Sequence, residues 1–260
     1  MEFVKFEVRS KVGYITINRP EKRNALNYQL VSELKETFLQ ASTDVDAKVI
    51  VLESAGEVFC AGADLEYLQQ LQKNTFEENL KDSLHLKELF ELIYTLSKVV
   101  IAKVNGHAIA GGCGLATVCD FAFSAAQSLF GYTEVRIGFV PAIVKVFLIR
   151  KIGEGRSKEL LLSGELISAE KAADCGLINS VVEPDQLDSY TETFAQTLVE
   201  KNSAQSMALT KKMIAEVQSM SLTEALDYAA TMNASARESE DCKKGISSFL
   251  RKEELSWKQE

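Results

Sequence analysis

Two short stretches combine small residues with the start of an apolar, helix-like pattern. In "FCAGADLEYL" the turn Ala61-Gly62-Ala63 precedes Leu65, and in "AIAGGCGLATV" the pair Gly111-Gly112 stands in the same relation to Leu115. Backbone N–H groups in the first turn of a helix have no intrahelical acceptor, and the helix dipole adds positive potential there. Small residues let a ligand approach that backbone closely. Two such turns converging on one point would form an oxyanion hole, a pair of donors aimed at an oxygen that gains negative charge. Either turn alone fits a tight bend for helix–sheet packing. Their repetition in consecutive strand–helix segments favours the chemical role.

A carboxylate lies within the same chemistry. "GYTEVRIGFVP" places Glu134 twenty residues after Gly114, and a positioned carboxylate can carry a proton to or from a reacting carbon. By itself it is one acid among 37, most of which must be solvated. Arg136 fits a structural or surface charge. The two histidines, His85 and His107, form no HExxH and no Cys/His cluster, so no metal site is expected. His107, close to the glycine turn, is expected to be a hydrogen-bonded structural imidazole. The sequence contains no GxSxG elbow, Walker loop or dinucleotide fingerprint, which excludes the commonest serine-hydrolase and nucleotide-driven designs.

These residues need elements to hold them. "FVKFEVR" and "VGYITIN" alternate apolar and polar residues around a short turn near Lys11 to Gly13, predicting a hairpin. A helix is expected from Asn27, whose side chain suits an N-cap, with Leu30, Leu34 and Phe38 on one face. "AKVIVLES" and "KVVIAKVNG" are continuous apolar runs, the pattern of strands buried on both faces. An amphipathic helix is expected across Leu84 to Leu96, another opens at "GGCGLATVCD", and "DFAFSAA" returns as a strand. Repeated strand–helix–strand units imply a parallel sheet with right-handed crossovers, whose loops gather at the carboxyl edge where ligands bind. From about Gln186 three or more amphipathic helices follow without a Gly-, Pro- or Ser-rich linker. They are expected to pack on the core or on a neighbouring subunit.

Composition narrows the classes. With 260 residues, 46% of them hydrophobic and 25% charged, the chain can bury a substantial core and sits in the ordinary globular range. A net charge of −8 argues against a nucleic-acid partner. Five cysteines, an odd number without CxxC spacing, fall in apolar segments, which suits reduced, buried thiols in a cytoplasmic protein. "MEFVKFEVRS" lacks a signal-peptide pattern, and no apolar run approaches the roughly 18 residues that span a bilayer, so no membrane partner is expected.

"RPEKRNALN", "VFCAGADL", "VNGHAIAGGCGLATVCD" and "LLLSGELISAEKAADCGLINSVV" occur in order over nearly the whole chain. In combination they resemble the enoyl-CoA hydratase/isomerase (crotonase) superfamily. The resemblance implies an α/β fold, the ClpP/crotonase-like spiral of ββα units, with a helical C-terminal trimerisation region. Residues 1–185 would be the spiral core with the acyl-CoA site, and 186–260 the oligomerisation subdomain of a homotrimer or dimer of trimers. Coenzyme A enters as part of the substrate, with no separate cofactor. Carried over by position, the oxyanion hole falls on the N–H groups of Ala63 and Gly111. The coenzyme A-binding segments fall on Lys22, Arg23, Ala25 and Leu26 and on Ala61, Asp64 and Leu65, with Lys252 near a CoA phosphate.

The family's usual hydratases use two glutamates. The second matches Glu134, and the position of the first is Gly114. With the unusual "GFVPAIVKVFLIRKIG" in place of a glycine-rich turn, the sequence resembles the methylglutaconyl-CoA hydratase-like branch and the dehydratases of carrier-bound 3-hydroxy-3-methylglutaryl groups. The resemblance implies hydration of an enoyl-CoA, or dehydration of a 3-hydroxyacyl-CoA, through a single glutamate. Gly114 would open room for a branched acyl group, with the substrate carboxylate or a basic side chain near Lys145 helping to place the water. The alternatives are an enoyl-CoA isomerase and a non-catalytic acyl-CoA- or RNA-binding homologue, the latter opposed by the acidic charge.

Overall fold

A computed structural model describes residues 1–258. The chain opens with a hairpin of β1 (Val4–Arg9) and β2 (Val12–Ile17), turned by Ser10 and Lys11 at positive φ. The bend therefore closes before Gly13, which the alternation assigned to the turn. Gly13 lies inside β2, where Phe6 and Ala47 occupy the space a side chain would need. Asn27 caps α1 (Tyr28–Thr43) as expected, its Oδ1 accepting from the Leu30 N–H at 2.9 Å. Leu30, Leu34 and Phe38 are buried along that helix.

Three repeats of one plan follow. A strand of a long sheet is succeeded by a three-residue strand of a second sheet and then by helix: β3 (Val49–Ser54), β4 (Val58–Cys60), α2 (Leu65–Leu71) and α3 (Phe76–Thr95). Next come β5 (Val99–Val104), β6 (His107–Ile109) and α4 (Gly111–Val118). The third repeat is β7 (Phe121–Ala125), β8 (Leu129–Gly131), a short 3-10 helix (Glu134–Ile137) and α5 (Val144–Ser163). β9 (Ile167–Ser168), α6 (Ala169–Asp174) and β10 (Ser180–Val182) complete the sheets, and α7 (Leu187–Lys201), α8 (Ala204–Val217), α9 (Leu222–Glu238) and α10 (Glu240–Arg251) follow.

Among the described residues the long sheet is six-stranded in the order β1-β2-β3-β5-β7-β10, parallel from β2 onward. The second sheet is four-stranded in the order β4-β6-β8-β9. Period-two alternation sends Ile50 and Leu52 into the core beneath α1, α3 and α4. Val49 and Val51 face the other way, against Leu187, Ala195, Leu198 and Val199 of α7. Both faces of β3 are thus covered, as its unbroken apolar run requires. The helix α8 is pinned by the buried Lys211, whose Nζ donates to the carbonyls of Ile93 and Lys98 and pairs with Asp120 at 2.7 Å. The segment after α10 packs back on the core at Trp257, which is buried and whose carbonyl accepts from Lys48 Nζ at 2.6 Å. Among the described residues no helix is long and apolar enough to cross a membrane.

Candidate active site

β4, β6 and β8 lie side by side and parallel, and each delivers one chemical group within three residues of its end. Cys60 ends β4 and Ala63 follows; Ile109 ends β6 and Gly111 follows; Gly131 ends β8 and Glu134 follows. Neighbouring strands are about 4.8 Å apart, so two backbone donors and one carboxylate are set in a row at the carboxyl edge of one small sheet.

The direction of each donor follows from local bonding. Leu26 and Ala63 form an isolated parallel bridge, in which the Leu26 N–H donates to Gly62 O at 2.7 Å and the Asp64 N–H donates to Leu26 O at 2.8 Å. Because this pairing engages the groups flanking Ala63, the Ala63 N–H itself points to the opposite side. Gly111 is the first residue of α4, where an N–H has no intrahelical acceptor. It is aimed by Ala110, held at φ 52°, ψ −123°, a sparsely populated conformation for a residue with a side chain, costing on the order of 1–3 kcal/mol. Hydrogen bonds fix Ala110 there, its N–H donating to Gly131 O at 2.7 Å and its carbonyl accepting from Gly114 at 3.0 Å.

The glycines divide the work. Gly62, at φ 89°, is pressed against Ala110 and bends the first loop beneath the second. A side chain at Gly112 would sit 2.2 Å from the Cys60 carbonyl oxygen, so this glycine serves helix–strand packing. At Gly111 a side chain would meet only the end of Leu26, its Cδ1 at 3.0 Å.

Glu134 opens the 3-10 helix after β8. Its Oε2 is buried and has no hydrogen-bond partner. Loss of water raises its pKa above the ordinary carboxylate value, against a smaller lowering by its own backbone N–H. A carboxylate short of solvation and of partners is poised to accept a proton. Beside it Tyr132 is fully buried, its hydroxyl 2.8 Å from Thr117 Oγ1. Burial pushes the Cys113 thiol up to about 12, the Glu134 charge adding to the effect, so this cysteine is no nucleophile at neutral pH. His107 Nδ1 accepts from the Leu129 N–H at 3.1 Å, the structural role expected of it.

Gly114 opens no room. A Cβ built there would meet Val144 Cγ1 at 2.3 Å and Phe90 Cε1 at 2.9 Å. The N-terminus of α5 fills the space, so the expectation of a widened acyl pocket at this residue is corrected: Gly114 lets α5 rest on α4. Lys145, one residue on, is exposed.

The model of the family described as enoyl-CoA hydratase/isomerase matches residues 7–260. The chain belongs to that family. A protein of Thermus thermophilus is 38% identical over 244 residues, covering 94% of this chain and 96% of the relative. The short-chain-enoyl-CoA hydratase of Clostridium acetobutylicum is 32% identical, covering 96% and 95%. The crystal structure of an enoyl-CoA hydratase from Shewanella pealeana superimposes with a TM-score of 0.92 at 26% identity over 98% of this chain and 96% of that one. The fold is the crotonase fold.

The crotonase positions named for coenzyme A divide into two groups. Arg23 is exposed, and Lys22 is ion-paired with Glu66 at 2.7 Å across to α2; Leu65 is 77% exposed at the start of that helix, and Lys252 sits at the left-handed C-cap of α10. Ala25, Leu26 and Asp64 are buried, and the backbone of Ala61 donates to Arg23 O at 3.1 Å. Asp64 commits both oxygens internally, one to the first turn of α2 and the other to Arg19. Arg19 is the residue that spacing did not reveal. It stands before Pro20 at the edge of a basic loop, yet it is 7% exposed.

Proposed function

We propose that this crotonase adds water to the double bond of a 2-enoyl-CoA and, in reverse, dehydrates a 3-hydroxyacyl-CoA, with Glu134 as its proton carrier. The observation that carries this is the buried, unpartnered Glu134 oxygen at the same sheet edge as two helix-entry donors. The Ala63 and Gly111 N–H groups would hold the thioester oxygen, where charge develops as the enolate forms. Glu134 takes a proton from water as its oxygen attacks C3, then returns that proton to C2, leaving the carboxylate as it began.

Coenzyme A would lie along the loop of Lys22 and Arg23, with Lys252 near its phosphates. The resemblance of the segment Gly138 to Gly153 supports a 3-methylglutaconyl thioester as substrate, whereas the filled space beside Gly114 does not. Double-bond migration is the second candidate, favoured by Val144 and Phe90 filling the place where a further carboxylate would stand.

Enoyl-thioester ultraviolet absorbance, followed with crotonyl-CoA and 3-methylglutaconyl-CoA in parallel, tests the assignment. Loss of absorbance is expected with wild-type protein and not with Glu134→Ala. A rise in absorbance from a 3-enoyl-CoA, with no loss from either 2-enoyl thioester, would move the protein to the isomerases. Tight acyl-CoA binding without turnover of any of these thioesters would favour a non-catalytic acyl-CoA-binding protein.

A homotrimer or dimer of trimers is part of the proposal. Leu222 on α9 and Phe249 and Leu250 on α10 are 77%, 82% and 74% exposed, apolar surface that subunit contact would cover. Sedimentation at micromolar concentration should give three or six times the 28.7 kDa chain mass; a monomer would refute it. The free thiols, three of them buried, support a reducing, cytoplasmic setting.

A further inference from the structure

Arg19 joins the two segments that make the first half of the oxyanion hole. Residues 23–26 and 61–64 run parallel, tied by Ala61 N–H to Arg23 O, Leu26 N–H to Gly62 O and Asp64 N–H to Leu26 O. A single Arg19 nitrogen, Nη1, reaches across both: it donates to Ala25 O at 3.0 Å and to Asp64 Oδ2 at 2.6 Å. The other Asp64 oxygen accepts from the Glu66 and Tyr67 N–H groups and so caps α2. Ala63 is therefore held between a residue bound to Arg19 and a residue bonded to the Leu26 ladder.

The brace is itself anchored. The Arg19 N–H donates to Asn24 Oδ1 at 2.9 Å, and Asn24 Nδ2 donates to the carbonyls of Ala55 and Val58 at 2.8 and 2.7 Å. The Arg19 guanidinium lies 5.1 Å from the Phe3 ring centroid. The Arg19 and Asp64 side chains are 9% and 5% exposed, so neither is presented to solvent. Desolvating such a pair is costly and seldom adds stability over an apolar filling of the same space. What the pair supplies is geometry: the two N–H directions of Nη1 are fixed in the guanidinium plane, so one nitrogen sets Ala25 O and Asp64 Oδ2 relative to each other, which a freely turning lysine ammonium does not.

We infer that Arg19, acting through Asp64, is a positioning residue that sets the direction of the Ala63 N–H toward the thioester oxygen. This rests on Ala63 and Gly111 forming the oxyanion hole. Arg19→Lys keeps the charge, but its ammonium ends one bond short of the place Nη1 occupies between Ala25 O and Asp64 Oδ2 and turns freely, so it does not fix the two acceptors relative to each other. Asp64→Asn keeps the cap of α2 and replaces the oxygen that faces Arg19, and it serves if the first variant does not fold.

The test uses the full-length protein with 4-dimethylaminocinnamoyl-CoA, a push–pull thioester that absorbs further to the red when its carbonyl oxygen is hydrogen-bonded. Wild-type protein should show the red shift. Arg19→Lys should lose most of it, with kcat down about 10- to 100-fold and affinity for free coenzyme A, which has no thioester oxygen, changed by less than about threefold. A full red shift in both folded variants would overturn the brace while leaving the hole intact. No red shift in the wild type would overturn the hole, and the brace with it.

Discussion

Glu134→Gln lowers kcat by about 10²- to 10⁴-fold, the range expected when a positioned acid–base group is removed, while the protein melts at no lower temperature than wild type at neutral pH. The two halves of this result have one cause. Glu134 Oε2 is buried without a partner, and the lost solvation raises its pKa. A carboxylate whose folded pKa lies above its unfolded value binds more protons in the folded state over the window between the two. Stability therefore falls as pH rises through that window, and at neutral pH the ionised group works against folding. Glutamine keeps the shape and removes the charge, so the melting difference should favour the variant above the window and shrink below the ordinary carboxylate value.

Catalysis has the opposite sign. The carboxylate must be ionised to take the first proton, so wild-type kcat/KM should fall on the acid side at a pH above that of an ordinary glutamate. Thermal melts and pH–rate profiles of the two proteins check both halves. A variant that loses stability but keeps its rate would make Glu134 a structural residue.

Much of this site was legible because its groups sit at the starts of helices, where sequence speaks locally. The small-residue turns at Ala61–Ala63 and Gly111–Gly112 and the cap at Asn27 depend on contacts a few residues apart. The strands β4, β6 and β8 were not legible. Each has three residues, too few to show a period of two, although their side-by-side pairing puts the three groups in a row. Arg19 escaped for a related reason: its partner Asp64 is 45 positions away, and nothing in the periodicity around Pro20 distinguishes a buried guanidinium from a solvated one. Gly114 misled in the reverse direction. The missing side chain was visible, whereas the incoming Val144, thirty positions on, belongs to a helix whose placement only the tertiary structure decides.

Gly114→Glu gives the sharpest test of that last point, because restoring the residue of the two-glutamate hydratases should here impair the protein. Its Cβ would lie 2.3 Å from Val144 Cγ1, 2.9 Å from Phe90 Cε1 and 3.1 Å from Val144 Cβ. Val144 is 4% exposed and Phe90 is fully buried, so neither can swing into solvent. Overpacking of this kind costs about 1–3 kcal/mol, and a carboxylate forced among apolar side chains adds a further penalty. A fall in melting temperature of at least about 5 °C is expected at this chain length, with crotonyl-CoA hydration reduced, since any shift of α4 carries Gly111 with it. Gly114→Ala separates the steric part. Helix propensity alone would favour alanine by about 1 kcal/mol, so a net loss of stability reports the clash with Val144. Adding Val144→Ala should then return most of that loss, and the double-mutant cycle would measure the coupling between the two positions. If Gly114→Glu melted with the wild type and hydrated crotonyl-CoA faster, α5 would have to yield at Val144, and the position would be an acid–base site left vacant rather than a seat for the helix.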